Sequence, residues 1–135
     1  MRTRGLWLLA CLLLAGTGLA RAQANPADDE AIRRLTDNFF DAFRQGGGQG
    51  VAAYLRQSGS IEEDVLRRLE RRAQAVERNP MIGRPDSYVV VNETEIPHAP
   101  RYRTLYALTH HDSRPVAWRL RFYKKVTGVW VFTDV

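Results

Sequence analysis

The run His110-His111-Asp112 has residue types that could bind a metal or transfer a proton. Imidazole nitrogens and carboxylate oxygens are common zinc ligands, and both groups serve as general acids and bases. Neighbouring residues of a strand point to opposite faces, however, so both imidazoles cannot easily reach one metal ion. His98 is the only other histidine, and the single cysteine is Cys11. We interpret the run as the polar tip of a hairpin and predict no metal, no cofactor and no catalytic residue.

Four carboxylates are the remaining candidates for proton chemistry. Asp37 and Asp41 lie on the first predicted helix, and Glu93 and Glu95 lie near the end of a predicted strand. A catalytic acid must point into a cavity, and its pKa rises when it stands alone among apolar groups. None of the four stands alone on an apolar face. The pattern favours a non-catalytic protein, and the alternative is a small-molecule isomerase or hydrolase that uses an acid in its cavity.

Large aromatic side chains point to binding rather than catalysis. A ligand pocket is mostly apolar with a few polar groups, and tyrosine and tryptophan supply both. Because an unpaired charge is costly to bury, the expected ligand is small, neutral and largely apolar. Core packing alone is the other explanation for these side chains. The residues predicted to line the pocket are Phe39, Phe43, Tyr54, Tyr106 and Trp118.

The end of the chain carries the strongest core signal. Residues 116–123 alternate between apolar side chains and polar or small ones, which is typical of a strand with one buried face. A break containing Gly128 precedes a second strand over residues 129–135, and a short glycine-containing turn predicts a hairpin. The buried positions would be Val116, Trp118, Leu120, Phe122, Trp130 and Phe132. The outer face would present Arg119, Arg121 and Tyr123 to a protein partner or, in a homodimer through the sheet, to a second copy.

Two helical stretches precede the strands. Apolar residues recur at three- and four-residue steps over residues 31–44, and Gly46-Gly47-Gly48 is expected to end this helix before a short one over residues 51–56. The stripe Leu35, Phe39 and Phe43 is expected to face Tyr106 and Trp118 across the concave side of the sheet. Ser60 begins a capping box, which predicts a second long helix that ends at about Arg78.

Helices followed by strands predict an α+β fold in which N-terminal helices pack on a curved antiparallel sheet of about four strands. The strand candidates are residues 87–95 and 101–110 and the two strands of the hairpin. A polar, flexible leader is expected over residues 23–30, followed by one domain over residues 31–135.

The first 22 residues are predicted to be a secretory signal peptide. A basic start is followed by an apolar run from Gly5 to Leu19, and Ala20-Arg21-Ala22 offers small residues at the cleavage site. The run is shorter than the roughly 20 residues that a membrane span needs. Leu8-Leu9-Ala10-Cys11 is similar to a lipoprotein box but lies very early. We therefore predict secretion, to the periplasm of a bacterium because the mature chain has no cysteine, and no stable membrane span after cleavage.

The formal net charge of +5 includes three arginines of the predicted signal, so the mature chain is closer to neutral. Nucleic-acid-binding proteins concentrate their basic residues in one patch or stripe. Here acidic and basic residues are interspersed. No nucleic-acid partner is expected.

The order of these elements resembles the nuclear transport factor 2-like superfamily, particularly its small secreted bacterial members of unknown function. The resemblance is carried by Phe39, Phe40 and Phe43 on a first helix, and by an aromatic-basic strand, residues 118–124, that precedes a short turn and Gly128-Val129-Trp130. It implies a cone, in which a bent antiparallel sheet wraps around a long helix. A cystatin-like arrangement is the alternative. The superfamily includes enzymes, ligand carriers and dimerisation modules, so the resemblance implies no particular activity.

Overall fold

The computed structural model describes residues 25–58 and 61–135. Two helices precede four strands, and the predicted α+β class is confirmed. The elements are α1 (Pro26–Gln57), α2 (Glu63–Arg78), β1 (Ser87–Ile96), β2 (Ala99–His110), β3 (Val116–Lys124) and β4 (Trp130–Asp134). The predicted signal peptide and Ser60 of the predicted capping box lie outside the described residues. No helix in the described part of the chain is long and apolar enough to cross a membrane.

The sheet is an antiparallel meander with the strand order β1-β2-β3-β4, and it is not closed into a barrel. The predicted hairpin is confirmed as β3 and β4, in which Phe122 pairs with Phe132 and Lys124 pairs with Trp130. Within residues 116–122 of β3, the even-numbered side chains lie on the helix side and the odd-numbered side chains are exposed, as the alternation predicted. Trp118 and Trp130 are both buried, so the hairpin supplies two large aromatic groups to the core.

Helix α1 begins five residues earlier than its apolar periodicity predicted. The Asn25 side chain accepts a hydrogen bond from the Ala27 amide, Pro26 occupies the first turn, and Asp28 and Asp29 lie near the positive end of the helix dipole. Most of the leader predicted for residues 23–30 is therefore helical. Local capping signals set this boundary, whereas the apolar stripe begins only one turn later.

The glycine triplet bends α1 instead of ending it. Gly47 has φ 58° and ψ −149°, a combination that is essentially restricted to glycine, and helical geometry resumes after it and continues to Gln57. The kink brings the second half of α1 against α2. Helix α2 buries Val65, Leu66, Leu69 and Ala73, which recur at helical spacing on one face, and it ends at Arg78 as predicted.

An aromatic cluster fills the space between α1 and the sheet. The ring centroid of Trp118 lies 5.5 Å from that of Phe43 and 6.1 Å from that of Phe39. The ring of Phe39 also packs against Phe132, with a centroid distance of 5.6 Å. All four side chains are buried. The concave side of the sheet is thus occupied by the protein's own helix.

Candidate functional site

The outer face of the sheet, on the side away from the helices, is rich in aromatic and basic groups. Here the register places Tyr106 opposite Arg119, and Tyr102 opposite Tyr123. The Tyr102 and Tyr123 rings contact each other with centroids 4.9 Å apart. Tyr102 and Tyr106 remain 45% and 41% exposed, so the sheet presents two large rings to solvent. The outer aromatic face, as we call Tyr102, Tyr106, Arg119, Arg121 and Tyr123, contains all three residues predicted to contact a partner.

The charge of this face is positive and only partly neutralised. The Arg121 guanidinium lies 3.4 Å from the Asp134 carboxylate. Arg119 has no ion pair among the described residues. Arginine and tyrosine are enriched among the residues that dominate protein-protein binding energies, because both offer apolar area together with directional polar groups.

Strand β1 extends the exposed apolar area to the edge of the sheet. Val89 pairs with Leu108 on the outer face, whereas Val90 pairs with the buried Ala107 and lines the smaller groove against α1. Val91 lies at the register irregularity before Asn92. These three valines are between 43% and 60% exposed. Val89 therefore adds apolar area to the outer face of the sheet, whereas Val90 belongs to the opposite face.

The five residues predicted to line one ligand pocket are not brought together. Phe39, Phe43 and Trp118 form part of the core. Tyr106 lies on the opposite face of the sheet from the helix, so the expectation that it faces Phe39 is wrong, because Tyr106 pairs with the outward-facing Arg119. Tyr54 is half-buried on α1, where burial raises the pKa of its hydroxyl although Asn38 hydrogen-bonds to it.

The concave side contains a charged cluster that the sequence analysis missed. Arg103 is nearly fully buried on β2, and its guanidinium contacts the carboxylates of Glu95 at 2.6 Å, Glu93 at 3.2 Å and Asp29 at 3.6 Å. Burial raises the pKa of Glu93, although Arg103 opposes this shift. Arg103 lies two and four residues before Leu105 and Ala107 on β2, so all three side chains point to the same face of the sheet. This spacing is the one sequence signal that could have predicted that Arg103 is buried.

Tyr88 separates two small grooves between α1 and β1, of about 200 Å³ and about 180 Å³. Its hydroxyl donates a hydrogen bond to the Asp37 carboxylate on α1. Burial and the neighbouring carboxylate both raise the pKa of Tyr88, so the phenol stays protonated at neutral pH. The pair ties the edge strand to the helix, and Tyr88 acts there as a hydrogen-bond donor.

The two adjacent histidines point away from each other, as predicted, but His111 is not part of a polar hairpin tip. His110 Nδ1 lies 3.0 Å from the Ser87 hydroxyl on the surface. His111 is buried, and its Nε2 lies 2.8 Å from the Thr109 hydroxyl, which also accepts a hydrogen bond from the Trp118 indole N–H. The Thr109 hydroxyl thus satisfies Nε2 of His111, whereas its Nδ1 is buried without a hydrogen-bond partner among the described residues. In the described residues, no group of three or more potential ligands is arranged to hold a metal ion.

In comparisons with known proteins, no family model, no curated protein and no solved structure matches the chain.

Proposed function

We propose that this protein is an exported, non-catalytic binding domain that uses its outer aromatic face to contact a protein partner. The observation that supports this function best is the exposure of Tyr102 and Tyr106 next to the unneutralised Arg119. Large rings left in water carry a free-energy cost that a partner removes by covering them. An arginine among them adds directional hydrogen bonds to the partner.

The packing of the core argues for this surface over an internal pocket. A small apolar ligand in the cone would need the space that Phe39, Phe43 and Phe132 occupy, and all three are at most 2% exposed. Well-packed interiors contain few voids larger than a water molecule, so a ligand would have to displace the helix. The small apolar ligand stays a prediction without structural support in the described residues.

The charge of the outer aromatic face indicates the chemistry of the partner. Arg119 is free of ion pairs among the described residues, and Arg121 is only partly screened by Asp134. A second copy of the same face would bring like charges together. We therefore expect a different protein, whose contact surface carries acidic residues next to apolar ones.

The enzymatic alternative depends on an acid in a groove, and Glu93 is its best candidate. Glu93 lies in the smaller groove beside Tyr88, and burial raises its pKa. Its carboxylate is nevertheless held by Arg103, which gives it a structural role. An isomerase or hydrolase activity therefore stays a prediction, as does membership of the nuclear transport factor 2-like superfamily.

Site-specific photocrosslinking tests the proposed surface. A benzophenone amino acid is placed at Tyr106 and, as a matched control, at Ala53, which is exposed on α1. In a bacterial periplasm we expect a discrete adduct with one protein at Tyr106 and none at Ala53. The adduct partner is then purified, and Arg119→Glu should weaken its binding at least fivefold, with recovery when an acidic residue of the partner is changed to lysine.

Three results would refute the proposal. One is an equal adduct at both positions, and the second is a purified partner whose affinity does not respond to Arg119→Glu. The third is an adduct of twice the protein's own mass, since that product would establish the homodimer through the sheet in place of a different protein.

A further inference from the structure

Strand β4 covers only part of its neighbour. It pairs with Arg121, Phe122, Tyr123 and Lys124 of β3. Strand β3 begins at Val116, and no strand of residues 25–58 or 61–135 pairs with its first five residues, Val116–Leu120, on the side away from β2. We call these five residues the free edge. At about 3.3 Å per residue the free edge is roughly 17 Å long.

The backbone of Ala117 and Arg119 faces outwards from the free edge. The Lys125 amide donates to the Val129 carbonyl, and the Thr133 hydroxyl donates to the Arg121 carbonyl, so odd-numbered residues of β3 direct their backbone groups towards β4. On the other side, the Thr109 hydroxyl donates to the Val116 carbonyl, so the even-numbered residues face β2. The alternation of an antiparallel strand leaves the N–H and C=O groups of Ala117 and Arg119 on the free side.

A groove of about 620 Å³ follows the free edge. One wall is the last half of α2, where Arg72, Ala75 and Val76 lie on one helical face. The other wall is β3, from which Val116 and the edge of Trp118 contribute apolar surface. Val135, which follows the last residue of β4, lines one end of the groove. The groove therefore combines an apolar lining with an unpaired strand edge.

Both charged side chains of the groove are positive. Arg72 stands on the helical wall and Arg119 on the strand, and neither has an ion pair among the described residues. Among the residues that the structure describes, no acidic side chain lines the groove. Charged side chains, prolines or covering loops normally protect an exposed strand edge from pairing with another chain. At the free edge both flanking charges are positive, so they would repel a basic segment and attract an acidic one.

We propose that the free edge binds an extended segment of a partner protein, in which apolar and acidic residues alternate, as an additional strand in line with β4. Backbone hydrogen bonds from Ala117 and Arg119 would hold the segment, as in other complexes formed by strand addition. Its apolar side chains would face α2, and its acidic ones, on the opposite face of the added strand, would reach Arg119. Arg72, which is exposed on the α2 wall, would attract the acidic segment over a longer range. The inference rests on the proposed function, because Tyr106 and Arg119 belong to both the groove and the outer aromatic face.

A synthetic peptide serves as the probe. It is fluorescein-labelled and capped, with the sequence Thr-Val-Glu-Val-Glu-Val-Thr, and its binding to the mature protein is followed by fluorescence anisotropy. We expect saturable binding that weakens with added salt, and at least tenfold weaker binding when lysine replaces both glutamates of the peptide. Hydrogen exchange at the Ala117 and Arg119 amides should slow at saturation. Absence of binding at millimolar peptide, or binding without this protection, would overturn the inference.

Two pairs of variants locate the site. Ala117→Pro removes one outward N–H and no bond to β2, and it should reduce peptide affinity at least tenfold, whereas Ala117→Val should not. Arg72→Glu should weaken binding about three- to tenfold, whereas Arg71→Glu, one position along α2, should change it less than twofold. Circular dichroism establishes whether each variant is folded. If Ala117→Pro does not fold, Arg72→Glu still tests the site. Equal losses in Arg72→Glu and Arg71→Glu would contradict the assignment.

The two proposals fail separately. If the peptide does not bind while the Tyr106 adduct still forms, the free edge is not the contact and the outer aromatic face stands. If the peptide binds at the free edge but no adduct forms from a benzophenone placed at Tyr102, which lies on the outer aromatic face away from the groove, that face is not the contact surface. Tyr102→Ser, which changes that face away from the groove, should leave peptide affinity within twofold.

Discussion

The Gly48 backbone N–H donates a hydrogen bond to the Glu77 carboxylate across 29 positions of the chain, at 3.0 Å. Glu77 also accepts a hydrogen bond from Arg84 at 2.9 Å, and Arg84 donates to the Gln45 carbonyl. Hydrogen bonds from α2 and from the turn after α2 thus stabilise the kink of α1. The positive φ of Gly47 favours glycine, and a Cβ atom there would also displace the Glu77 carboxylate from its position beside the kink.

Replacing glycines of the triplet should therefore have opposite effects. Gly47→Ala forces a positive φ on alanine and crowds Glu77, and we expect it to lower the free energy of unfolding by about 2 kcal/mol or more. Gly46→Ala is the matched control, because it has open space and helical geometry and should be neutral or stabilising by up to about 1 kcal/mol. Urea denaturation measures both, and equal effects would contradict this account of the kink.

Glu77 should make the stability depend on pH. The Gly48 amide and then Arg84 lower the pKa of Glu77, against the smaller effect of burial. A carboxylate whose folded pKa is lowered contributes stability that is present above the unfolded value of 4.5 and is lost as the pH falls through the folded value. Wild type should exceed Glu77→Gln in unfolding free energy at pH 7, and the difference should shrink below about pH 4.5. A difference that is constant from pH 7 to pH 3 would argue against the pairing.

Asp28 should stabilise the joint between α1 and the last hairpin. Its carboxylate accepts hydrogen bonds from Lys124 Nζ at 2.6 Å and from the buried Trp130 indole N–H at 2.9 Å. Burial acts to raise the pKa of Asp28, but these two donors outweigh it and the net pKa is lowered. Asp28→Ala leaves the indole N–H unsatisfied and should cost about 1–3 kcal/mol. Asp41→Ala, which removes an exposed pair with Arg44, should cost under about 0.5 kcal/mol in the same thermal or urea unfolding experiment.

Two aromatic residues on opposite faces of the sheet should differ sharply on truncation. Trp118→Ala removes a buried ring that packs on Phe39 and Phe43, and about 3–5 kcal/mol should be lost. Tyr106→Ala removes an exposed ring from the neighbouring strand and should cost less than about 1 kcal/mol. Denaturation midpoints decide between them, and a cost under about 1 kcal/mol at Trp118 would mean that the core is assigned to the wrong face.

The N-terminus of the exported protein should begin at or near Gln23. The basic start, the apolar run and Ala20-Arg21-Ala22 are the basis of this prediction. Intact-mass spectrometry of the protein from the periplasm gives the answer directly. Replacing Ala22 with a bulky residue such as tyrosine should slow processing and accumulate the longer form. Retention of Met1 on exported protein would contradict the predicted cleavage.

The β3–β4 hairpin and the stripe of α2 were predictable because their signals are local. Strict alternation identifies the face on which Trp118 lies, and it places Arg119, Arg121 and Tyr123 on the other. Strand β2 has no such alternation, because Leu105, Tyr106, Ala107 and Leu108 follow one another. Its register against β3 decides which face each side chain occupies, and that register is a property of the folded sheet.

The remaining features depend on partners distant in sequence. Arg103 was not expected in the interior, because a buried guanidinium is tolerated only where carboxylates surround it, and these come from α1 and β1. The Gly47 kink likewise depends on Glu77. The groove at the free edge results from the unequal lengths of β3 and β4, and strand ends are poorly marked by composition.

The bonds of Asp28 join the first helical turn to residues 96 and 102 positions further along the chain. A ribosome makes the N-terminal part first, so Asp28 has neither partner until nearly the whole chain has been synthesised. Each hairpin of the meander can close as soon as its own strands exist, whereas the joint between the two ends closes last. The joint between the helix and the last hairpin therefore cannot form before strand β4 has been made, and the export that we propose would begin with a chain in which these two parts are still unconnected.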